Sequence, residues 1–214
     1  MKIFFDFDDF FLDTEGAMIR DYFALLKRLT GASDDEMTRM FAKFSGASFV
    51  RGETHSPERH IEFLGADLDF DAMKALDAAR SFFVDIRRYC FEGAEDFLRA
   101  LPQGDSYLLT FGEKRFQDSK IDGSGLRAFF HKVIVVQGDK SEEIERVAKR
   151  DRFSPNEKIA FADNRCGHFA GARERGIITI HLKRPTDKYS KVPCEGCQHV
   201  VSNFRELAHV LKNI

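Results

Sequence analysis

The first apolar stretch of the chain, IFFDFDDFFLDT from Ile3 to Thr14, carries four carboxylates set among aromatic residues. An acid in or beside an apolar strand is costly unless it is paired, solvated or bound to a metal. Residues two apart in an extended segment point the same way, so Asp6 and Asp8 emerge together at the carboxyl end of a first strand over Lys2–Phe7. Something must meet them there, and the rest of the chain has to supply it.

Four more segments read as buried strands: Ser106–Phe111, Lys132–Val136, Lys158–Asp163 and Ile177–Leu182. Each is a short β-branched or aromatic run bounded by turn residues, the pattern of parallel strands covered on both faces. Helical patterns follow the later ones at Glu113–Ile121, Ser141–Lys149 and Gly167–Arg175, the last closed by Gly176, and Asn203–Lys212 reads as a closing helix. Strands alternating with helices indicate an α/β fold, a Rossmann-like doubly wound parallel sheet. At 214 residues the chain has room for such a domain with a substantial insertion. The insertion falls between the first two strands, where apolar residues recur at helical spacing (Met18, Tyr22, Leu25, Leu26, Leu29). The expected organisation is a core of 1–14 and 90–214 with an α-helical cap subdomain at 15–89, leaving directly after the acidic stretch.

Open parallel sheets bind ligands beyond the carboxyl ends of their strands. The second strand, in LLTFGEK, brings the Thr110 hydroxyl to that edge, followed by Phe111 and Gly112, where backbone amides can approach an oxyanion. After the third, VIVVQGDKSEE places Lys140 at the start of a helix, where the dipole disfavours a cation unless an anion is near. The fourth, KIAFADN, ends on Asp163, whose carboxylate suits a hard cation such as Mg²⁺. Each has an ordinary explanation as a helix cap or solvated surface residue; the four together at successive strand ends are harder to explain that way.

This set of segments resembles the haloacid dehalogenase superfamily of mostly Mg²⁺-dependent phosphotransferases, whose four motifs match DFDD at Asp6, LLTFG at Thr110, GDKSE at Lys140 and FADN at Asp163. The insertion resembles the helical cap of the subclass that carries its cap after the first motif. The resemblance implies that Asp6 attacks phosphorus to give an aspartyl phosphate. Asp8 would protonate the leaving oxygen and later activate water. Thr110 and Lys140, with the backbone at Phe111 and Gly112, would hold the phosphoryl oxygens. Asp6, Asp163 and the carbonyl of Asp8 would hold Mg²⁺. The expected function is a phosphatase acting on a small phosphorylated metabolite, preferred over carbon–halogen cleavage because the superfamily's dehalogenases use no acid at the Asp8 position. The alternative is a phosphate-binding or regulatory protein of weakened turnover on the same fold. A signalling receiver domain also uses paired acids, a Thr and a Lys, but is much shorter and phosphorylates an Asp after a later strand.

Three positions depart from the family pattern. Phe10 stands where Thr or Val is usual, with a ring that could crowd Asp8, and Asn164 and Gly167 stand where many members carry a second acid near the metal. With 33 basic against 35 acidic residues the net charge is −2, which argues against a nucleic-acid partner. No apolar run reaches a membrane span, and a cytoplasmic location is expected; nothing speaks to oligomeric state. The four cysteines do not resemble a disulfide framework. Cys194 and Cys197 in PCEGC have metal-like spacing that Cys166, with His168 or His199, could complete as a zinc site, against the ordinary reading of a turn with free thiols. In the insertion, Arg51, His55, Arg59 and His60 form a polar interruption that could meet a substrate, and Phe82 and Phe83 read as cap core.

Overall fold

The computed structural model describes residues 1–102, 104–184 and 193–214. Their contacts form two compact units: Met1–Asp13, Cys90–Phe111 and Leu126–Ile214 in the first, Thr14–Tyr89 and Gly112–Gly125 in the second.

The first unit is built on a parallel sheet of β1 (Lys2–Phe5), β2 (Ser106–Phe111), β3 (Lys132–Val136), β4 (Ile159–Asp163), β5 (Ile178–Leu182) and β6 (His199–Val201). Their order is β3-β2-β1-β4-β5-β6, so the N-terminal strand is central. Phe4 and Phe5 are both fully buried because successive side chains serve opposite faces of the sheet. On one face Phe4 stacks on Tyr107 at 4.8 Å and joins Leu109, Phe161, Phe169 and Ile144 in a continuous apolar cluster. On the other, Phe5 meets Phe10, Phe11 and Phe97, and Phe204 stacks on Phe11 at 5.6 Å. Burying each such ring stabilises the fold by roughly 1.5–3 kcal/mol.

The sheet differs from expectation where local packing decides. β1 ends at Phe5 rather than Phe7, because the amides of Phe10, Phe11 and Leu12 all turn back to the carbonyl of Phe7. β3 is half-buried along most of its length because it is an edge strand. The segment read as a helix over Gly167–Arg175 is a 3₁₀ turn at Cys166–His168 followed by a short helix, Ala170–Glu174. Among the described residues no helix is long and apolar enough to cross a membrane.

The second unit contains α1 (Ile19–Thr30), α2 (Asp34–Val50), α3 (Pro57–Gly65), α4 (Ala72–Phe82) and, further along, a helix at Lys114–Ser124. This last helix packs so closely that a Cβ on Gly123 would lie 2.0 Å from the carbonyl oxygen of Phe83, and the Gly123 carbonyl accepts the Ile86 amide at 2.9 Å. Only a residue without a side chain permits that approach. Phe83 is core, as read, and half-buried Phe82 packs against it with ring centroids 5.0 Å apart.

Of the polar interruption only His60 is buried; Arg51 is exposed and His55 and Arg59 are half-buried. Arg59 pairs with Glu53 and donates to the Thr54 carbonyl at 2.7 Å. His60 is fully buried among Tyr22, Phe23, Phe41 and Phe44, stacked on the last at 5.0 Å, and both its ring nitrogens lack a hydrogen-bond partner. Burial pushes its pKa down to about 4. The unfolded chain therefore binds a proton between pH 6.5 and 4 that the folded chain refuses, and stability falls as pH drops through that window. We expect a loss of up to about 3 kcal/mol between pH 7 and 4 from this residue. Urea unfolding of His60→Phe should show that slope flattened; an unchanged pH profile would exclude His60 as its source.

Candidate active site

Four of the residues singled out by the acidic stretch and its partners end on one edge of the first unit's sheet. Asp6 follows β1 directly, and its amide donates to the Ala162 carbonyl of β4 at 3.0 Å, which keeps the two strands side by side past their ends. Asp163 closes β4 with no exposed surface. Thr110, in β2 and opposite Val135 of β3, is buried at the same edge. Lys140 is the first residue of the helix Lys140–Arg150, whose start is capped by Asp139 accepting from the Glu142 amide at 2.9 Å.

Lys140 joins the two acids. Its ammonium donates to Asp6 Oδ1 at 2.7 Å and to Asp163 Oδ2 at 2.8 Å, and all three side chains are almost wholly buried. Asp163 is held further: Oδ1 accepts the Arg165 amide at 2.7 Å, and Nδ1 of His168 lies 2.7 Å from Oδ2. Sequence reasoning did not place His168 at this site. Its approach depends on the 3₁₀ turn that bends the chain back after Asp163, and no residue spacing announces such a turn.

The charges settle unequally. Burial and then the negative charge of Asp163 push the Asp6 carboxyl up to about 6, against the pull of Lys140. At Asp163 burial also favours the neutral acid, but Lys140 and His168 outweigh it and hold the carboxyl well below its usual range. Burial opposes the charge on Lys140, and the carboxylates of Asp163 and Asp6 overcome it, keeping the ammonium above its ordinary value. Two carboxylates around one ammonium leave the trio an excess negative charge in a dry setting. The ligand atoms of Asp6, Asp163 and His168 all lie within 4.8 Å of one another. The two carboxylates of this cluster are hard oxygen donors with surplus negative charge, which fit a Mg²⁺ ion, and His168 adds a nitrogen beside them.

The remaining predicted residues are placed less tightly. Asp8 is half-buried at the start of the turn in which Asp9 takes the left-handed conformation (φ 56°) and its amide donates to the Leu12 carbonyl at 2.8 Å. The ring of Phe10 is fully buried against Phe5, Phe11 and Phe204. Phe111 is exposed. Gly112 has φ 151°, and a Cβ there would lie 2.6 Å from Gln117 Nε2, so the position admits no side chain without displacing Gln117.

No family model matches the sequence. Nor does any curated protein. Solved structures do match over nearly the whole chain. YfnB from Bacillus subtilis, described as an HAD-hydrolase and bound to magnesium, superposes with a TM-score of 0.68 at 22% identity, covering 100% of this chain and 98% of that one. The chain has the haloacid dehalogenase fold. A haloacid dehalogenase-like hydrolase from Burkholderia xenovorans matches with a TM-score of 0.69 at 19% identity, over 99% of this chain and 96% of the other. An L-2-haloacid dehalogenase from Xanthobacter autotrophicus with chloropropionic acid covalently bound matches with a TM-score of 0.67 at 14% identity, over 100% and 98%. In this fold Asp6, Thr110 and Asp163 stand at strand ends and Lys140 at the start of the helix after β3.

The cysteines depart from their sequence reading. Cys166 and Cys194 are joined in a disulfide, while Cys90 and Cys197 are thiols. The pairing spans 28 residues and depends on the loop after β4 meeting the segment before β6, a contact that cysteine spacing does not reveal.

Proposed function

We propose that the chain is a Mg²⁺-dependent phosphatase that cleaves a small phosphomonoester through an aspartyl phosphate on Asp6. The observation that carries this reading is the buried bridge of Lys140 between Asp6 and Asp163 at the strand edge where Thr110 also ends. An Asp6 carboxylate oxygen attacks phosphorus as the bond to the leaving alkoxide breaks, and the carboxylic acid of Asp8 gives that alkoxide a proton. Asp8, now a carboxylate, takes a proton from water, whose oxygen attacks the phosphorus and restores Asp6 with release of phosphate. Thr110 and Lys140 hold the phosphoryl oxygens. Asp6, Asp163 and the Asp8 carbonyl would hold Mg²⁺, which when bound offsets the repulsion between an anionic nucleophile and an anionic ester. Lys140 alone cannot neutralise both acids and a phosphoryl group.

The covalently loaded L-2-haloacid dehalogenase of the same fold supports a second reading, in which Asp6 displaces halide from a 2-haloacid. A panel of aryl and metabolite phosphates, with and without Mg²⁺, run beside 2-chloropropionate separates the two. Phosphate release that requires Mg²⁺ is expected. Halide release without phosphate release would replace the first reading by the second. Phosphate binding without either product would leave a binding protein.

The proposed cofactor also predicts a stability change. Mg²⁺ at about a hundred times its Kd should raise stability by about 2.7 kcal/mol, read as an upward shift of Tm. Asp163→Asn should lose most of that shift, and an equal shift in both proteins would remove Asp163 from the ion.

A further inference from the structure

A second cluster of ligating side chains lies in the first unit, on segments the phosphatase reading leaves unused. His181 of β5 is buried, and its ligand nitrogen and the sulfurs of Cys194 and Cys197 all lie within 4.8 Å of one another. Cys166, bonded to Cys194, places a third sulfur beside one member of this cluster. All three cysteines are partly buried against the apolar cluster of Phe161, Phe169 and Ile177.

The imidazole is set for a metal. His181 Nε2 lies 3.0 Å from the backbone carbonyl of Asn164. A carbonyl only accepts, so Nε2 carries the proton and Nδ1 keeps its lone pair. A metal-bound histidine commonly donates its other N–H to a carbonyl or carboxylate in this way. Three sulfurs and one imidazole make a Cys₃His set, with Cys194 and Cys197 spaced as C-x₂-C. Tetrahedral zinc with bonds of about 2.3 Å to sulfur needs sulfurs about 3.8 Å apart. The sulfurs of Cys194 and Cys197 lie within 4.8 Å of each other, so they need approach by at most about 1 Å, while the Cys166 sulfur moves apart from that of Cys194 once their bond is reduced. Soft thiolates also distinguish this cluster from the oxygen donors around Asp163.

We infer that, once the Cys166–Cys194 disulfide is reduced, Cys166, Cys194, Cys197 and His181 Nδ1 bind one zinc ion. A dithiol supplies two electrons and two protons to the disulfide and becomes a disulfide itself. The three thiols then lose their protons as three Zn–S bonds form. The histidine of the site is thus neither His168, which is engaged with Asp163, nor His199. The ion would fasten the loop after Asp163, through both Cys166 and the Asn164 carbonyl, to β5 and the segment leading to β6.

The test uses the whole chain reduced with a dithiol that is then removed under anaerobic conditions, titrated with Zn²⁺ and separately with Co²⁺. One tightly held zinc per chain is expected, together with intense thiolate-to-cobalt charge-transfer absorption. That signal reports sulfur, so an ion on the carboxylates of Asp6 and Asp163 does not imitate it. Cys197→Ser should weaken zinc binding about tenfold or more, while Cys90→Ser, which alters a thiol outside the cluster, should bind as wild type does. No charge-transfer band in the reduced wild-type protein would overturn the proposal whatever the variants do. So would zinc binding in Cys197→Ser equal to wild type.

Discussion

Asp6→Asn should abolish phosphate release, lowering turnover by about 10⁴-fold or more, because an amide oxygen cannot serve as the nucleophile and no neighbouring group replaces it. The same substitution should leave the protein folded. Burial, chiefly, raises the Asp6 carboxyl to about 6, so its ionised form is already disfavoured relative to the unfolded chain. Asn has nearly the same shape, and Lys140 keeps Asp163 as a partner. Stability at pH 8 is expected to stay level or to rise by at most about 3 kcal/mol. Single-turnover phosphate release alongside urea unfolding measures both. Activity within tenfold of wild type would displace Asp6 as the nucleophile, and an unfolded variant would show that Lys140 needs both acids.

Lys140→Met should have the largest effect on stability. The substitution removes the one ammonium between two buried carboxylates and leaves them facing each other with only His168, beside Asp163, to offset their charge. Breaking a buried pair from one side typically costs 3–5 kcal/mol, roughly. Mg²⁺ should restore part of that loss, since the cation would take over the neutralising role. Urea midpoints with and without Mg²⁺ provide the comparison. A variant that unfolds at the wild-type midpoint in metal-free buffer would mean that the bridge adds nothing net to stability.

The sheet was legible in the sequence to different degrees for physical reasons. Ser106–Phe111 and Lys132–Val136 appear with their expected limits because both are β-rich runs between turn residues. β6 went unread: three residues carry no usable period, and its pairing to β5 comes from tertiary contact. The helix Ala94–Arg99 is similarly too short to announce itself. At the site, Asp6, Thr110, Lys140 and Asp163 were readable because strand ends in a parallel sheet converge by topology. His168 was not, nor was the burial of His60, nor the inward turn of Phe10. Each depends on which way one side chain packs, which residue type alone does not decide.

The central place of the N-terminal strand has a cost during synthesis. β1 pairs only with β2 and β4, and the residue opposite Ile3 in β2 is Ser106. At roughly 5–20 residues per second, the ribosome takes about 5–20 s to make that partner, and longer to make β4. Through that interval the segment holding Phe4 and Phe5 has no neighbour in the sheet, while the acids of DFDD keep charge within it. Carboxylates set within an apolar segment in this way act as gatekeepers against self-association of the nascent chain.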